Sequence, residues 1–322
     1  MNKEVLLIGP GYMGKEYCKV LLSQECVPVV IGRGEESAKK FAEETGIQVR
    51  WRDVALALKE IKELPKYAIV ASNEEGLALN TIMLIEAGIK NILLEKPGGM
   101  FVSEVAEIDK KAREYDAKVY IAYNRRFYAS TDKALQIIRE DGGVRDAFFE
   151  ITEWGNILGD SIEDRSIDIK EEILSNNSSH VIDLFMFFCG EPIDYRCYVK
   201  SDPLLSWHKT GCIYAGAGIT DKDILFSYHA DWNAPGRWGL ELLTLNHRII
   251  FRPMEQLKIQ KINSLVINDV DIDDDLDKKF KPGLYKQVES FLNDKDDGKK
   301  ITVHQQVEHM RFFADMEHKK YR

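Results

Sequence analysis

The stretch Gly9-Pro10-Gly11-Tyr12-Met13-Gly14 decides the fold of the first third of this chain. It lies between an apolar, strand-like run at residues 5–8 and a helical pattern at residues 15–21. In this context the first glycine permits a tight turn, the second lets backbone approach a pyrophosphate, and the third lets the helix pack on the sheet. The helix N-terminus then presents free N–H groups to the phosphates. We predict that Gly9, Gly11, Tyr12, Met13 and Gly14 bind a dinucleotide; a glycine-rich turn without a ligand is the alternative.

Length and composition limit the class of protein. The chain has 322 residues, of which 44% are hydrophobic and 30% charged, so two domains with substantial cores are expected. Its net charge of -9 is unlike the concentrated basic surface of nucleic-acid-binding proteins. No apolar stretch reaches the roughly 18 residues that span a membrane, a core strand stands in place of a signal peptide, and the 5 cysteines include no Cys-x-x-Cys pair. We expect a cytoplasmic protein that binds neither nucleic acid nor membranes.

Alternating short strands and helices in the first third predict a parallel sheet. Strand-like runs occur at residues 5–9, 27–32, 67–71, 91–94 and 119–123, with amphipathic stretches at 35–44, 54–64, 77–87 and 103–115. Short buried strands joined by such helices imply right-handed crossovers and a doubly wound sheet covered on both faces. We assign residues 1–123 to a dinucleotide-binding domain.

After Tyr123 the pattern changes to that of an α+β domain. We predict helices at residues 132–140, 170–188, 284–293 and 303–317, and strands at 147–154, 193–199, 210–216, 224–232, 240–251, 257–261 and 265–270. Successive strands with short turns favour an open, mostly antiparallel sheet, which we assign to residues 124–322. The acidic run at residues 271–275 lacks the glycine and the closing glutamate of a calcium loop, so we interpret it as a solvated turn and predict no metal site.

The stretch Glu95-Lys96-Pro97 follows the predicted strand at residues 91–94. In a doubly wound sheet the carboxyl ends of the strands line the ligand crevice. We therefore expect Glu95, Lys96 and Ser72, which follows the strand at 67–71, to contact the cofactor. The Lys96 ammonium can hold developing negative charge, or share a proton if its pKa is lowered. An ordinary surface lysine in a strand–helix turn is the alternative, and position alone does not decide between them.

Three polar residues interrupt the apolar pattern of the predicted helix at residues 170–188. Asn176, His180 and Asp183 are spaced at i, i+4 and i+7, so they share one helix face. Polar groups on such a helix must find partners or face a cavity. A histidine oriented by a carboxylate can act as a general base near neutral pH; a structural core histidine is the alternative.

Together, the glycine motif, Glu95-Lys96-Pro97 and His180-x-x-Asp183 resemble the glucose–fructose oxidoreductase and inositol dehydrogenase family of NAD(P)-dependent sugar oxidoreductases. The resemblance covers most of the chain and includes Tyr123-Asn124-Arg125-Arg126-Phe127 at the domain junction. It implies an N-terminal Rossmann domain and a second domain whose open sheet forms one wall of the substrate site. Because that sheet is often an oligomer interface, a homo-oligomer (dimer or tetramer) is expected.

The resemblance also implies catalytic roles. Lys96 would contact the nicotinamide region and the reacting sugar oxygen, and His180 would accept the hydroxyl proton while hydride leaves the same carbon. Two positions depart from the family pattern: Asn176 replaces the aspartate of Asp-x-Gly-x-His, and Leu77 replaces the histidine of Thr-Pro-Asn-x-x-His. Asn176, which we keep in the catalytic set, cannot support an imidazolium as a carboxylate would. Two alternatives stay open: sugar elimination or hydrolysis with a recycled NAD, and a non-catalytic NADP-binding sensor or scaffold.

The end of the second strand bears on the choice of cofactor. NAD-binding sites usually place an acidic residue there to bind the ribose 2′-hydroxyl. This chain has Gly32 and Arg33 at that position, and an arginine can form charge-assisted bonds to a 2′-phosphate. We predict NADP as the preferred cofactor, with NAD possible if Glu35 or Glu36 reaches the ribose instead.

The residue types that suit sugars and their acidic groups predict the substrate site only coarsely. Aromatic rings stack on sugar faces, and arginines suit carboxylates or phosphates. The predicted substrate-binding residues are Asn124, Arg125, Trp154, Asp183, Arg237 and Trp238. For any one of the arginines, a position at the rim or in an interface is the alternative.

Overall fold

The computed structural model describes residues 3–318, so residues 1–2 and 319–322 of the predicted domain ranges lie outside the described residues. The first elements are β1 (Glu4–Ile8), α1 (Tyr12–Ser23), β2 (Val27–Gly32), α2 (Glu35–Thr45), β3 (Val49–Trp51), α3 (Val54–Glu60), β4 (Tyr67–Val70), α4 (Glu74–Glu86), β5 (Asn91–Leu94), α5 (Val102–Glu114) and β6 (Lys118–Ile121). A 3-10 turn (Asn124–Phe127) precedes α6 (Ala129–Glu140), β7 (Asp146–Glu150), α7 (Gly155–Ser161), α8 (Ile167–Glu171), a π turn (Leu174–Ser178) and α9 (Ser179–Cys189). There follow β8 (Pro192–Lys200), β9 (Ile213–Thr220), β10 (Leu225–Asp231), β11 (Gly239–Leu243), β12 (His247–Phe251), β13 (Lys258–Lys261), β14 (Ile267–Asp269), α10 (Asp275–Lys279), α11 (Leu284–Leu292), β15 (Ile301–Thr302) and α12 (Val303–Met316).

Backbone contacts divide the described chain into two compact units. The first contains the described residues up to Asn124 and the segment Leu276–Glu308. The second contains Arg125–Asp275 and the described residues from His309 onward. Within residues 3–318, every helix is too short or too polar to cross a lipid bilayer.

The first unit is built on a sheet with the strand order β15-β6-β5-β4-β1-β2-β3. Strands β1 to β6 pair in parallel, and only the short β15 joins the described sheet antiparallel. All side chains of β4 are buried, as expected for a strand covered on both faces. Because the chain starts at β1 and moves outward in both directions, the carboxyl ends of β1 and β4 meet at the switch point. The predicted doubly wound parallel sheet is confirmed.

Helix α11 completes the core of the first unit. Its apolar side chains join those of β1, β2, β4 and α1 in one cluster; they are Leu284, Val288, Phe291 and Leu292. The Phe291 ring meets the Tyr67 ring edge-on at 5.4 Å between centroids, and the Gln24 amide donates to the Tyr285 carbonyl at 2.9 Å. The structure therefore places Leu276–Glu308 in the first unit, whereas the sequence pattern predicts it in the second domain. The reason is the burial of this apolar helix face, which local sequence patterns do not locate.

The second unit is built on a sheet with the order β14-β13-β12-β11-β7-β10-β9-β8. Among its described strands only β7 and β10 pair in parallel, so the predicted open, mostly antiparallel sheet is confirmed. Helix α9 packs on the sheet, with the rings of Phe149 and Phe185 at 4.8 Å between centroids. The acidic residues 271–274 lie in the loop between β14 and α10.

Two elements that were predicted to be continuous are interrupted in the structure. The strand at residues 240–251 is a hairpin of β11 and β12, closed by a bond of 2.9 Å from the Thr244 N–H to the His247 carbonyl. The apolar sequence pattern continues through this turn because the residue at its tip is a leucine, Leu245, although its side chain is exposed. The helix at residues 170–188 is interrupted by the π turn at Leu174–Ser178, whose Asn177 and Ser178 side chains bond to Glu153. Elements β3, α7, α10 and β15 were not predicted.

The contribution of α11 to the first unit can be tested with two Leu→Ala variants. Leu292 is 3% exposed and Leu79, on α4, is 55% exposed. Leu292→Ala should lower the free energy of unfolding by about 2–5 kcal/mol, since it removes core contacts and leaves a cavity. Leu79→Ala should lower it by less than about 1 kcal/mol. Urea unfolding followed by circular dichroism measures both, and equal losses would contradict a core role for α11.

Candidate functional site

The glycine motif forms a tight cradle after β1. Gly9 has a φ of +105°, and a Cβ at this position would lie 2.4 Å from the Ala71 carbonyl oxygen. A Cβ on Gly14 would lie 2.0 Å from the Gly9 carbonyl oxygen, so α1 packs directly on the loop. A Cβ on Gly11 would meet nothing within 4 Å. Packing therefore requires glycine at positions 9 and 14. Gly11 faces open space, where a ligand can approach the protein backbone closely.

A cleft of about 190 Å³ opens beside this cradle. Of the predicted cofactor-binding residues, Gly9, Gly11, Gly32, Arg33 and Ser72 line it. The Ser72 hydroxyl oxygen is buried and has no hydrogen-bond partner within residues 3–318. An unsatisfied buried hydroxyl, a glycine facing open space and the N-terminus of α1 together fit a dinucleotide phosphate. Tyr12, Met13 and Gly14 form the first turn of α1.

The end of β2 leaves no room for an acidic side chain at position 32. A Cβ on Gly32 would lie 2.5 Å from the Pro10 ring. The next residue, Arg33, is exposed and reaches the cleft. Glu35 forms an ion pair with Lys39 at 2.8 Å, along α2.

Glu95 and Lys96 form the turn after β5. The Glu95 carboxylate accepts a hydrogen bond of 2.6 Å from the Tyr17 hydroxyl of α1. Burial raises the pKa of Glu95, and the Tyr17 bond and the nearby Lys96 charge oppose this only in part. The Lys96–Pro97 peptide bond is cis, and the Pro97 carbonyl accepts a bond of 2.9 Å from Gln306. Lys96 is half-buried and lies in this turn, which the Tyr17–Glu95 bond joins to α1, the helix that follows the glycine cradle.

In the second unit, His180 and Asp183 lie on α9, and Asn176 lies in the π turn before it. His180 is 9% exposed and its ring lies 6.1 Å from the Trp238 ring, centroid to centroid. Asp183 is fully buried, and Arg126 donates to both its oxygens, at 2.9 and 2.7 Å. Because Arg126 bonds to both oxygens of Asp183, this ion pair holds α9 against the 3-10 turn that contains Arg126. The Asn176 side chain is buried as well.

Glu153, just after β7, is the centre of a buried hydrogen-bond cluster. Its side chain is 1% exposed and accepts bonds from Ser178 at 2.7 Å and Asn177 at 3.1 Å. Trp238 Nε1 donates to it at 3.0 Å and Arg237 Nη1 at 2.5 Å. Burial raises the pKa of Glu153, while these donors and the Arg237 charge oppose the shift. The cluster fixes Arg237 and Trp238 beside the π turn that leads to His180.

The remaining predicted substrate residues have distinct surroundings. Arg237 also contacts the Trp154 ring at 5.1 Å, and Trp154 donates to the Gly236 carbonyl at 3.0 Å. Half-exposed Trp154 lines a cleft of about 420 Å³ in the second unit. Arg125 contacts the Trp238 ring at 4.9 Å. Asn124, by contrast, belongs to the first unit, where its amide donates to the Pro282 carbonyl at 2.9 Å.

The residues of these clusters that were not predicted include the acceptor Glu153 and the donor Tyr17. A signal for Glu153 was present, because alternate residues of a strand face one side. Ala147, Phe149 and Ile151 are fully buried, and Glu153 continues that series. Tyr17 carries no comparable signal, since its partner is 78 residues away in sequence. Within residues 3–318, no group of three or more His, Cys, Asp or Glu side chains is arranged to hold a metal ion.

The first part of the chain matches a protein-family model. Residues 3–123 match the GFO_IDH_MocA model, described as an oxidoreductase family with an NAD-binding Rossmann fold. This agrees with the parallel sheet and the glycine cradle of the first unit, and it confirms the family resemblance drawn from the motifs. No curated protein matches the sequence.

Solved structures share the fold over nearly the whole chain. Levoglucosan dehydrogenase, solved with NADH and L-sorbose, is 18% identical with a TM-score of 0.75, covering 98% of this chain and 96% of its own. A UDP-N-acetylglucosamine 3-dehydrogenase from Acidithiobacillus ferrooxidans is 15% identical with a TM-score of 0.74, covering 98% and 97%. A putative NADPH-dependent oxidoreductase from Desulfitobacterium hafniense is 14% identical with a TM-score of 0.78, covering 98% and 95%. At these identities the likeness establishes the fold.

The buried Glu95 predicts a pH-dependent stability. Because burial raises its pKa, the stability from this group is fully present below the unfolded value of about 4.3 and is lost as the pH rises towards the folded value. Glu95→Gln cannot titrate, so the variant should gain stability relative to the wild type as the pH rises through this range. Urea unfolding at about pH 4 and about pH 7 measures the difference. The exposed Glu63→Gln is the matched control, and the same pH profile in both variants would contradict the prediction.

Proposed function

Residues 3–123 are the NAD-binding Rossmann domain of the GFO_IDH_MocA oxidoreductase family, and from this we propose the reaction of the whole protein. It transfers a hydride between a nicotinamide cofactor and a secondary alcohol or ketone of a sugar or sugar derivative. The observation that carries the proposal is the glycine cradle with the open Gly11 and the unsatisfied Ser72 hydroxyl. The sugar substrate is supported by the similarity in fold to levoglucosan dehydrogenase and UDP-N-acetylglucosamine 3-dehydrogenase.

The proposed chemistry divides between two side chains. A bound nicotinamide supplies the hydride acceptor or donor. His180 takes the proton from the reacting hydroxyl in oxidation and returns it in reduction, and its ring is held beside Trp238. Lys96 stabilises negative charge on the reacting oxygen. Asn176, buried in the π turn, stays a predicted member of the catalytic set.

We propose NADP as the preferred cofactor. Gly32 excludes an acidic side chain at the end of β2, because its Cβ would meet Pro10. Arg33 reaches the cleft, and Glu35 is paired with Lys39. The similarity in fold to a putative NADPH-dependent oxidoreductase also supports this choice.

We further propose a cytoplasmic homo-oligomer. All five cysteines are free thiols, which fits a reducing compartment. The sheet of the second unit exposes the apolar side chains of Ile193, Tyr198 and Leu225, and such apolar surface favours association through that sheet.

The catalytic roles are tested by two alanine variants. An absorbance screen that follows NADPH and NADH over sugars, sugar acids and nucleotide sugars identifies a substrate first. Lys96→Ala and His180→Ala should each lower kcat by about 10²–10⁴-fold, because each removes a proton-transfer or charge-stabilising group. Exposed Lys62→Ala is the control for loss of a lysine. Activity that survives both substitutions would refute the roles, and product formation without net cofactor consumption would favour elimination or hydrolysis with a recycled cofactor.

The cofactor preference is tested by fluorescence titration. The wild type should bind NADPH more tightly than NADH, and Arg33→Ala should weaken NADPH by about tenfold or more with little effect on NADH, since a charge-assisted bond is lost. Arg50→Ala, which removes an exposed arginine from β3, is the matched control. Equal or tighter binding of NADH by the wild type would contradict NADP preference.

A further inference from the structure

Two arginines of the second unit contact the indole of Trp238. The guanidinium carbon of Arg237 lies 4.2 Å from the ring centroid, and that of Arg125 lies 4.9 Å from it. Both distances allow cation–π attraction. The His180 ring lies 6.1 Å from the same indole, so the two cations and the candidate base surround one aromatic side chain.

The charge of Arg237 is already compensated within the protein. Its Nη1 donates to the Glu153 carboxylate at 2.5 Å, and that carboxylate also accepts the Trp238 N–H at 3.0 Å. A carboxylate bonded to both residues fixes the guanidinium against the indole. Arg237 is therefore suited to positioning Trp238 rather than to recognising a ligand.

Arg125 lacks such compensation. Within residues 3–318, no carboxylate forms an ion pair with it, and its buried Nε has no hydrogen-bond partner. Burial lowers the pKa of this guanidinium and the Arg237 charge adds to the shift, while Tyr128, Glu255 and Glu153 oppose it. A cation that is partly withdrawn from water and has no carboxylate in ion-pair contact is costly, so an anionic ligand would stabilise it. The residue keeps partial exposure, which leaves it open to such a ligand.

We propose that Arg125 binds an oxyanion, a carboxylate or a phosphate, carried by the sugar substrate, and that the substrates are anionic sugars. The inference rests on the proposed function, because it concerns the substrate of the same reaction. The planar guanidinium can donate two parallel bonds to an oxyanion, a geometry that a lysine does not offer. Arg237 stays bonded to Glu153 and acts as a positioning residue.

The first experiment compares sugars that differ in charge. The wild type is assayed on D-glucose, D-glucuronate and D-glucose 6-phosphate, and on the corresponding galactose series, with both cofactors. The best charged member should exceed its neutral parent in kcat/KM by about tenfold or more, mainly through KM. The carboxylate and phosphate arms show which oxyanion is preferred. A neutral sugar that is preferred over its charged partners overturns the inference.

Variants of Arg125 assign that preference to the residue. Arg125→Met should raise KM for the charged substrate by about tenfold or more, and it should lower the ratio of kcat/KM between the charged substrate and its neutral parent. Arg125→Lys should retain part of the preference, because it keeps the charge and loses the planar fork. The exposed Arg145→Met is the matched control and should behave as the wild type. Circular dichroism checks folding, and an unchanged preference in folded Arg125 variants overturns the inference.

A binding experiment separates this inference from the proposed function. Inorganic phosphate and acetate are titrated into the full-length wild type and variants, with tryptophan fluorescence as the signal. Arg125→Met, or Arg125→Lys if the former does not fold, should weaken binding, the former by about tenfold or more. Binding that depends on Arg125, without turnover of any sugar, supports an oxyanion site at Arg125 and contradicts the proposed function. Binding independent of Arg125, or a variant that weakens NADPH alone, overturns the inference.

Discussion

A buried carboxylate must have its charge compensated and its oxygens hydrogen-bonded, and in the second unit this constraint organises the candidate site around Glu153. Donors from two separate segments meet there: the π turn supplies Asn177 and Ser178, and the loop before β11 supplies Arg237 and Trp238. If any of these segments moved, the carboxylate would lose a partner in a poorly solvated place. The positions of the candidate base and of the indole beside it therefore follow from one acid that itself need not touch the substrate.

The first unit uses the same device in a different context. The bond between Tyr17 and Glu95 joins α1, which starts at the glycine cradle, to the turn that carries Lys96. In both units the supporting groups are buried: Tyr17 is 0% exposed and Glu153 is 1% exposed. The fold that these contacts stabilise is shared with solved structures at sequence identities of 14–18%.

Features with a local cause were predictable from the sequence. The strands of the first unit were predictable because short buried strands appear in the sequence as short apolar runs. The glycine motif was predictable because a Cβ at Gly9 or Gly14 would clash with backbone atoms, so glycines stand at fixed spacing. The break in the helix before His180 was not, because the Asn177 and Ser178 side chains bond to Glu153, 24 and 25 residues away. The same limit explains the pairing of Asp183 with Arg126 across 57 residues. The residue types predicted a charged and aromatic site. Only the packing shows that Arg237 forms an ion pair with Glu153, whereas Arg125 forms no ion pair within residues 3–318.

The position of α11 has a consequence for how the chain acquires its structure during synthesis. The core of the first unit includes side chains that lie near residue 290, so the ribosome synthesises Arg125–Asp275 of the second unit before that core can close. Until then β1, β4 and α1 leave an apolar surface uncovered, and nascent chains with such surface are prone to aggregation. The two units are thus interleaved along the chain, because the first needs Leu276–Glu308 and the second needs the described residues from His309 onward.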